Sequence, residues 1–236
     1  MTAISASLPE ASGTLPGPAS LAATRLIDSN APEVIEFARE HVRGVGDRER
    51  AVSLYYAVRD GFRYDPYRVD FSERGMQASG VLRNGFGWCI PKAALLTAVC
   101  RAVGIPARPG YADVRNHLST ERMRATMGTD VFIWHGYTDI WLDGTWRKAT
   151  PAFNIELCDR FGLHPLEFDG RADSIYHPFD RNGHRHMEYV AMRGAFDDMP
   201  LARIVHDFRE TYRAWFANPA SMTSGDFIAD VARESS

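Results

Sequence analysis

Lysine is nearly absent from this chain: Lys92 and Lys148 are the only two in 236 residues, and arginine carries the remaining side-chain positive charge. That scarcity reads as a bias of composition and says nothing about partners. With 27 basic against 30 acidic residues the formal charge is −3, too weak a field to gather nucleic acid or an anionic membrane. Cysteine is also scarce. Cys89, Cys100 and Cys158 form an odd set with no Cys-x-x-Cys pair, which argues against a disulfide framework or a zinc knuckle and for a reducing compartment. No run of about 18 apolar residues occurs, and no basic start leads into an apolar segment, so neither a membrane span nor a secretory signal is expected. The expected setting is cytoplasmic. What is present is ordinary globular usage, 45% apolar and 24% charged, enough for one core.

Residues 1–23 are rich in Ala, Ser, Pro, Gly and Thr and predict a disordered tail. A helix is expected from Asn30, with Val34, Ile35, Phe37, Ala38 and Val42 at helical spacing, and a second from Asp47 to Gly61. An irregular stretch holding Gly75, Gly80, Gly85 and Gly87 follows. The clearest helix opens at Cys89 with Pro91 in its first turn and closes at Gly104, with Ala94, Leu95, Ala98, Val99 and Val103 as its buried stripe. A polar loop is expected through His117 to Thr129. Two aromatic-rich strands then flank Asp143-Gly144, a strong hairpin signal. Residues 155–197 show no period and are expected to be a long irregular excursion that lines a pocket; Asp198 is the candidate cap of a late helix carrying Leu201, Ile204, Val205, Phe208, Tyr212 and Trp215 to Asn218-Pro219. The division is a tail (1–23), one domain with a C-terminal helix (24–217), and a polar tail or short helix (218–236).

Cys89 follows Gly85-Phe86-Gly87-Trp88 and opens a helix, where unpaired backbone N–H groups and the positive helix end stabilise a thiolate. The expected consequence is a lowered thiol pKa. The same amides can hold an oxyanion, and Gly87 and Trp88 are placed to meet substrate. His135, in an aromatic strand, supplies an imidazole able to take the thiol proton and return it to a leaving group.

At this point a family resemblance appears. Gly87-Trp88-Cys89, then Ala93-Ala94-Leu95-Leu96 and Arg101-Ala102-Val103-Gly104-Ile105-Pro106-Ala107-Arg108, resemble the nucleophile helix of the transglutaminase-like superfamily, with its R-A-x-G-I-P-A-R run. His135-Gly136-Tyr137 through Asp143-Gly144-Thr145-Trp146 resembles that family's H-A-W-x-E-x-(Y/W)-x-D-G-x-W strand and turn. Residues 51–64 resemble the element that precedes the cysteine, so the likeness spans about residues 46–154. It implies an α+β, papain-like fold in which the nucleophile helix packs on an antiparallel sheet, with Cys89 as nucleophile and His135 as base.

The family usually places an aspartate, in D-P-T, where this chain has Thr150 before Pro151. If Asp143 and Gly144 are the two turn residues, paired positions sum to 287, Ala152 faces His135, and Thr150 and Asn154 lie on its diagonals. Asn154 is the expected orienting partner, with Thr150 second; Asp139 is too far along its own strand. Other clusters carry less. His177, His184 and His186, with Asp180 and Glu188, lack a recognised ligand spacing, so neither metal nor other cofactor is expected. Arg108 and Arg115 are candidates for an anionic substrate. The expected function is acyl transfer from an amide, peptide or ester of a small-molecule or peptide substrate through a thioester, with hydrolysis preferred over transamidation. The alternative is a noncatalytic binding module on the same fold.

Overall fold

Apolar residues at helical spacing form α1 (Pro32–His41) and α2 (Asp47–Gly61) in the computed structural model, which describes residues 14–116, 119–175, 180–183 and 186–234. Next come β1 (Arg63–Tyr64), α3 (Glu73–Met76), α4 (Ala78–Asn84) and β2 (Phe86–Gly87), with β1 and β2 paired in parallel. This stretch, expected to be irregular, holds two short helices, and two of its glycines sit at close approaches. A Cβ on Gly75 would come within 2.4 Å of the Asp70 side chain, and one on Gly80 within 2.8 Å of the Arg74 carbonyl oxygen.

The central helix α5 (Cys89–Ala102) starts and stops where its punctuation places it, after extended Trp88 and before Gly104 at φ 82°. Every residue from Cys89 to Arg101 is buried, so the expected stripe is a helix buried all round. The sheet covers one side, and α1, α2 and α4 cover the others. The rest of the chain forms β3 (Ala107–Asn116), α6 (Glu121–Met127), β4 (Val131–Leu142), β5 (Thr145–Ala149), α7 (Ile155–Phe161), β6 (Met187–Ala195), α8 (Leu201–Thr211), α9 (Arg213–Ala217), α10 (Ala220–Thr223) and α11 (Phe227–Glu234). The larger sheet is antiparallel with order β5-β4-β3-β6, and α5 packs against β4 and β3. The fold is α+β, with the nucleophile helix on an antiparallel sheet.

Two cations anchor α5 from inside. Lys92 is fully buried and its Nζ donates to the carbonyls of Arg59 (2.8 Å) and Phe62 (2.7 Å) at the end of α2. Arg101 donates to the carbonyls of Ala107, Ala22 and Asp197. On the sheet side, Thr138 Oγ1 donates to Ala93 O at 2.9 Å. Such bonds satisfy buried polar groups that would otherwise cost about 1–3 kcal/mol each.

Several expectations are corrected. Residues 14–23 do not form a tail: Trp146 Nε1 donates to Thr14 O, a 3-10 turn spans Pro18–Ser20, and Ala22 O holds Arg101. The loop from 117 to 129 contains α6, capped by Thr120. The 155–197 segment contains α7 and β6. Asp198 caps no helix; its carboxylate accepts from Thr24 Oγ1 and the amides of Leu26 and Met199. The late helix breaks at Tyr212 (φ −111°, ψ 51°), whose hydroxyl accepts from Ile133 N–H and donates to Val131 O on β4. Residues 218–234, expected to be a polar tail or a short helix, take the helical alternative as α10 and α11; Asp230 of α11 accepts from Tyr67 Oη at 2.9 Å and Arg122 Nε at 2.8 Å. Among the described residues no helix is long and apolar enough to cross a membrane.

Candidate active site

Cys89 and His135 line one cavity, brought together by the contact between the first turn of α5 and strand β4. Gly136 is the point of closest approach. A Cβ there would lie 2.9 Å from Cys89 O and 3.0 Å from Ile90 Cα, so the residue following the histidine must lack a side chain for the strand to reach the helix start. Backbone N–H groups of Gly136, Ile90 and Cys89 lie against the thiol sulfur and favour its anion. Burial outweighs them: Cys89 is 8% exposed, and its thiol is pushed up from 9.0 to about 11. The expectation of a lowered pKa is thereby corrected, because the helix start that supplies donors is itself shut away from water. Burial, aided by nearby His186, lowers His135 from 6.5 to about 3. Both shifts favour the uncharged forms, thiol and imidazole.

His135 is aimed by an irregularity in β4. The β3–β4 register shifts between Ala112 (opposite His135) and Val114 (opposite Phe132), and Trp134 within the bulge takes φ 60°. A bulky residue in the left-handed region costs about 1–3 kcal/mol and persists only where surroundings fix it. Here Trp134 N–H donates to Asp113 Oδ1 (3.0 Å) and its Nε1 to Asp207 Oδ2 (2.9 Å). Arg193 bonds both carboxylates and sits 4.6 Å over the indole.

Neither expected orienting residue is hydrogen-bonded to His135. The hairpin register sums to 287 from Leu142–Thr145 to Thr138–Ala149, but the ladder stops there. Thr150 leaves it, donating its N–H to Ser174 O, so Ala152 never faces His135. Asn154 precedes α7 and its Oδ1 accepts from Tyr64 N–H at 3.1 Å, fixing β1 rather than the imidazole. Thr150 Oγ1 is buried with no hydrogen-bond partner among the described residues. Trp88 lines the cavity; Gly87 lies beside it, where a Cβ would press on Lys92 and Val81 at 3.0–3.2 Å. Arg108 pairs with Asp139 over the Trp146 ring, and Arg115 pairs with Asp130 and Glu188, so neither faces the cavity. Cys100 and Cys158 are buried with free thiols pushed up to about 12 and 11. Among the described residues no cluster of three or more potential ligands is placed to hold a metal, and His177 and His184 lie outside those residues. His186 stands on the cavity wall instead.

The comparisons with known proteins bear on this arrangement. A family model described as the transglutaminase-like superfamily matches residues 35–151, which hold both Cys89 and His135. Over this segment the chain belongs to the transglutaminase-like superfamily. The transglutaminase-like segment ends just past Thr150, leaving Asn154 and all of α7 to α11 outside it. A search of curated proteins finds no match. One solved structure it resembles is a candidate cysteine protease from Cytophaga hutchinsonii, at 18% identity and a TM-score of 0.42, covering 56% of this chain and 40% of that one. A likeness so loose carries no argument about function.

Cavity residues that carried no site signal in the sequence lie on both sides of the segment's end, with Met123 and Phe132 among those within it and Phe153 and Phe227 among those beyond it. The helical spacing of Phe208, Tyr212 and Trp215 was visible; that it faces the cysteine was not.

Proposed function

We propose that this chain is a cysteine-dependent acyl-transfer enzyme acting on an amide, peptide or ester carbonyl. The observation that carries the reading is the convergence of the Cys89 thiol, three backbone N–H groups and His135 on one cavity at the start of α5. Cys89 Sγ attacks the carbonyl carbon while its proton passes to His135 and on to the leaving group, whose bond to carbon breaks. A water then adds to the thioester with His135 as base, and the carbon–sulfur bond breaks to restore the thiol. The amides of the first turn are the donors available to the oxyanion. Because burial favours the neutral thiol and the neutral imidazole, proton transfer accompanies substrate binding rather than preceding it. Hydrolysis is favoured over transamidation, since no described acidic side chain lines the cavity to hold an amine acceptor. A cytoplasmic setting fits three free cysteines.

The absent carboxylate at Thr150 and the raised thiol pKa favour a second reading, a binding module that performs no chemistry. The experiment that separates them is ester or amide turnover by wild type, Cys89→Ser and His135→Ala. Turnover lost in both variants with unchanged circular dichroism supports the enzyme; turnover absent in the wild type supports the module, and turnover retained in Cys89→Ser overturns Cys89 as the nucleophile.

A further inference from the structure

The walls around Cys89 define a substrate class. Among the described residues the cavity contains no Asp, Glu, Lys or Arg, and its polar lining is confined to Cys89, His135, His186, Asn116 and Ser119, with the phenols of Tyr64 and Tyr212. Everything else is aromatic or aliphatic. Trp88 sits beside the thiol, Phe208 and Trp215 pack around Phe71 against it, and Phe227 closes on Tyr64. Three of these walls belong to helices α8, α9 and α11, which follow the transglutaminase-like segment. The helices are fixed in place: Tyr212 bridges β4 through two backbone bonds, and Asp230 binds Tyr67 and Arg122. An apolar lining built from secured elements is a shaped surface rather than a gap under a loop. Bringing a charged acyl group into it would leave that charge without a counter-ion among the described residues, whereas an aryl or alkyl group gains from burial.

We propose that the segment after the family core makes this site selective for an uncharged carbonyl substrate with a bulky apolar acyl group, aryl or branched alkyl. This rests on the acyl-transfer reading above. Acylation forms the bond from Cys89 Sγ to the carbonyl carbon and releases the leaving alcohol or amine; water then yields the apolar carboxylic acid. That product carries a charge the walls do not accommodate, which assists its release.

The test uses the full chain and p-nitrophenyl esters of acetic, succinic and 3-phenylpropionic acids, following p-nitrophenolate. The phenylpropionyl ester is expected to exceed the acetyl ester in kcat/KM by at least tenfold and the succinyl ester by more, since burying one aromatic side chain is worth that much in an equilibrium. Phe161→Arg, which puts a cation on a half-buried cavity residue, should collapse the ratio of phenylpropionyl to succinyl turnover at least tenfold; Trp215→Ala should lower the ratio of phenylpropionyl to acetyl turnover. Unfolding midpoints show whether either variant folds. In parallel, 3-phenylpropionamide and succinamate are titrated into Cys89→Ser, following tryptophan fluorescence. Equal turnover of the three esters overturns the selectivity while leaving the acyl-transfer reading intact. Selective binding of the phenylpropionamide without any ester turnover does the reverse. Preference for the succinyl ester or succinamate overturns the proposal outright.

Discussion

Replacing Gly136 with alanine adds one methyl group at the place where base and nucleophile meet. The new Cβ would stand 2.9 Å from Cys89 O, 3.0 Å from Ile90 Cα and 3.1 Å from Cys89 C. All three are backbone atoms, so no side chain can rotate to make room. Restoring ordinary contacts of about 3.5–4.0 Å requires strand or helix to move by about half an ångström or more. Overpacking of this kind costs about 1–3 kcal/mol. At this chain length each kcal/mol lowers the unfolding midpoint by about 2–4 °C. Turnover should fall as well, because displacing a reacting group by about 1 Å costs about 100-fold. The family pattern resembled here has alanine at this position, which makes the substitution chemically mild and its cost specific to the close approach in this chain. The assay pairs thermal unfolding with turnover of the phenylpropionyl ester. A variant with wild-type midpoint and wild-type turnover would refute the reasoning.

Other outcomes follow from the same contacts. His135, held neutral with its pKa lowered from 6.5 to about 3, binds fewer protons folded than unfolded, so stability falls as pH drops from about 6.5 to about 3. Urea unfolding across that window should show a steeper loss in wild type than in His135→Phe. Lys92, lowered from 10.5 to about 7 by burial, has the same sign at higher pH: its contribution rises from about pH 7 to 10.5. Lys92→Met should flatten that rise while leaving the Arg59 and Phe62 carbonyls without their donor. Asp113→Ala removes the acceptor for Trp134 N–H and one partner of Arg193, and should destabilise by about 1–3 kcal/mol. Because it disturbs the bulge beside His135, it should lower kcat more than it raises KM; Asp113→Asn, which keeps an acceptor oxygen, should recover part of kcat. In the substrate-free protein, iodoacetamide labelling of Cys89 should be slow near neutral pH and climb toward pH 11, while Cys100, enclosed in the core, stays inert.

Local chemistry made half of the site legible. Pro91 in a first turn, Gly104 past a last one and Asp143-Gly144 between aromatic strands each act within a few residues, and α5 and the β4–β5 hairpin form where they point. The hairpin register could be extended only as far as the ladder. Its failure at Thr150 comes from Ser174, which captures the departing N–H from 24 positions away. Asn154 was placed near His135 by that extension and lies against Tyr64 instead. The thiol pKa reversed for a related reason: donors at a helix start are counted along the chain, but burial is supplied by the whole fold. The short helices α6 and α7 escaped notice because a single capped turn or two carries little periodicity. The full cavity wall was not legible because it is assembled from separate segments between Tyr64 and Phe227.

The most direct test of Cys89 as nucleophile is intact-mass and peptide-mapping spectrometry after acid quench of the wild type with the phenylpropionyl p-nitrophenyl ester. A single phenylpropionyl adduct should map to Cys89, disappear on prolonged incubation with water as the acceptor, form far more slowly in His135→Ala, and be absent from Cys89→Ser. An adduct on Cys158 or on an arbitrary surface residue, or turnover that persists in Cys89→Ser, would contradict it.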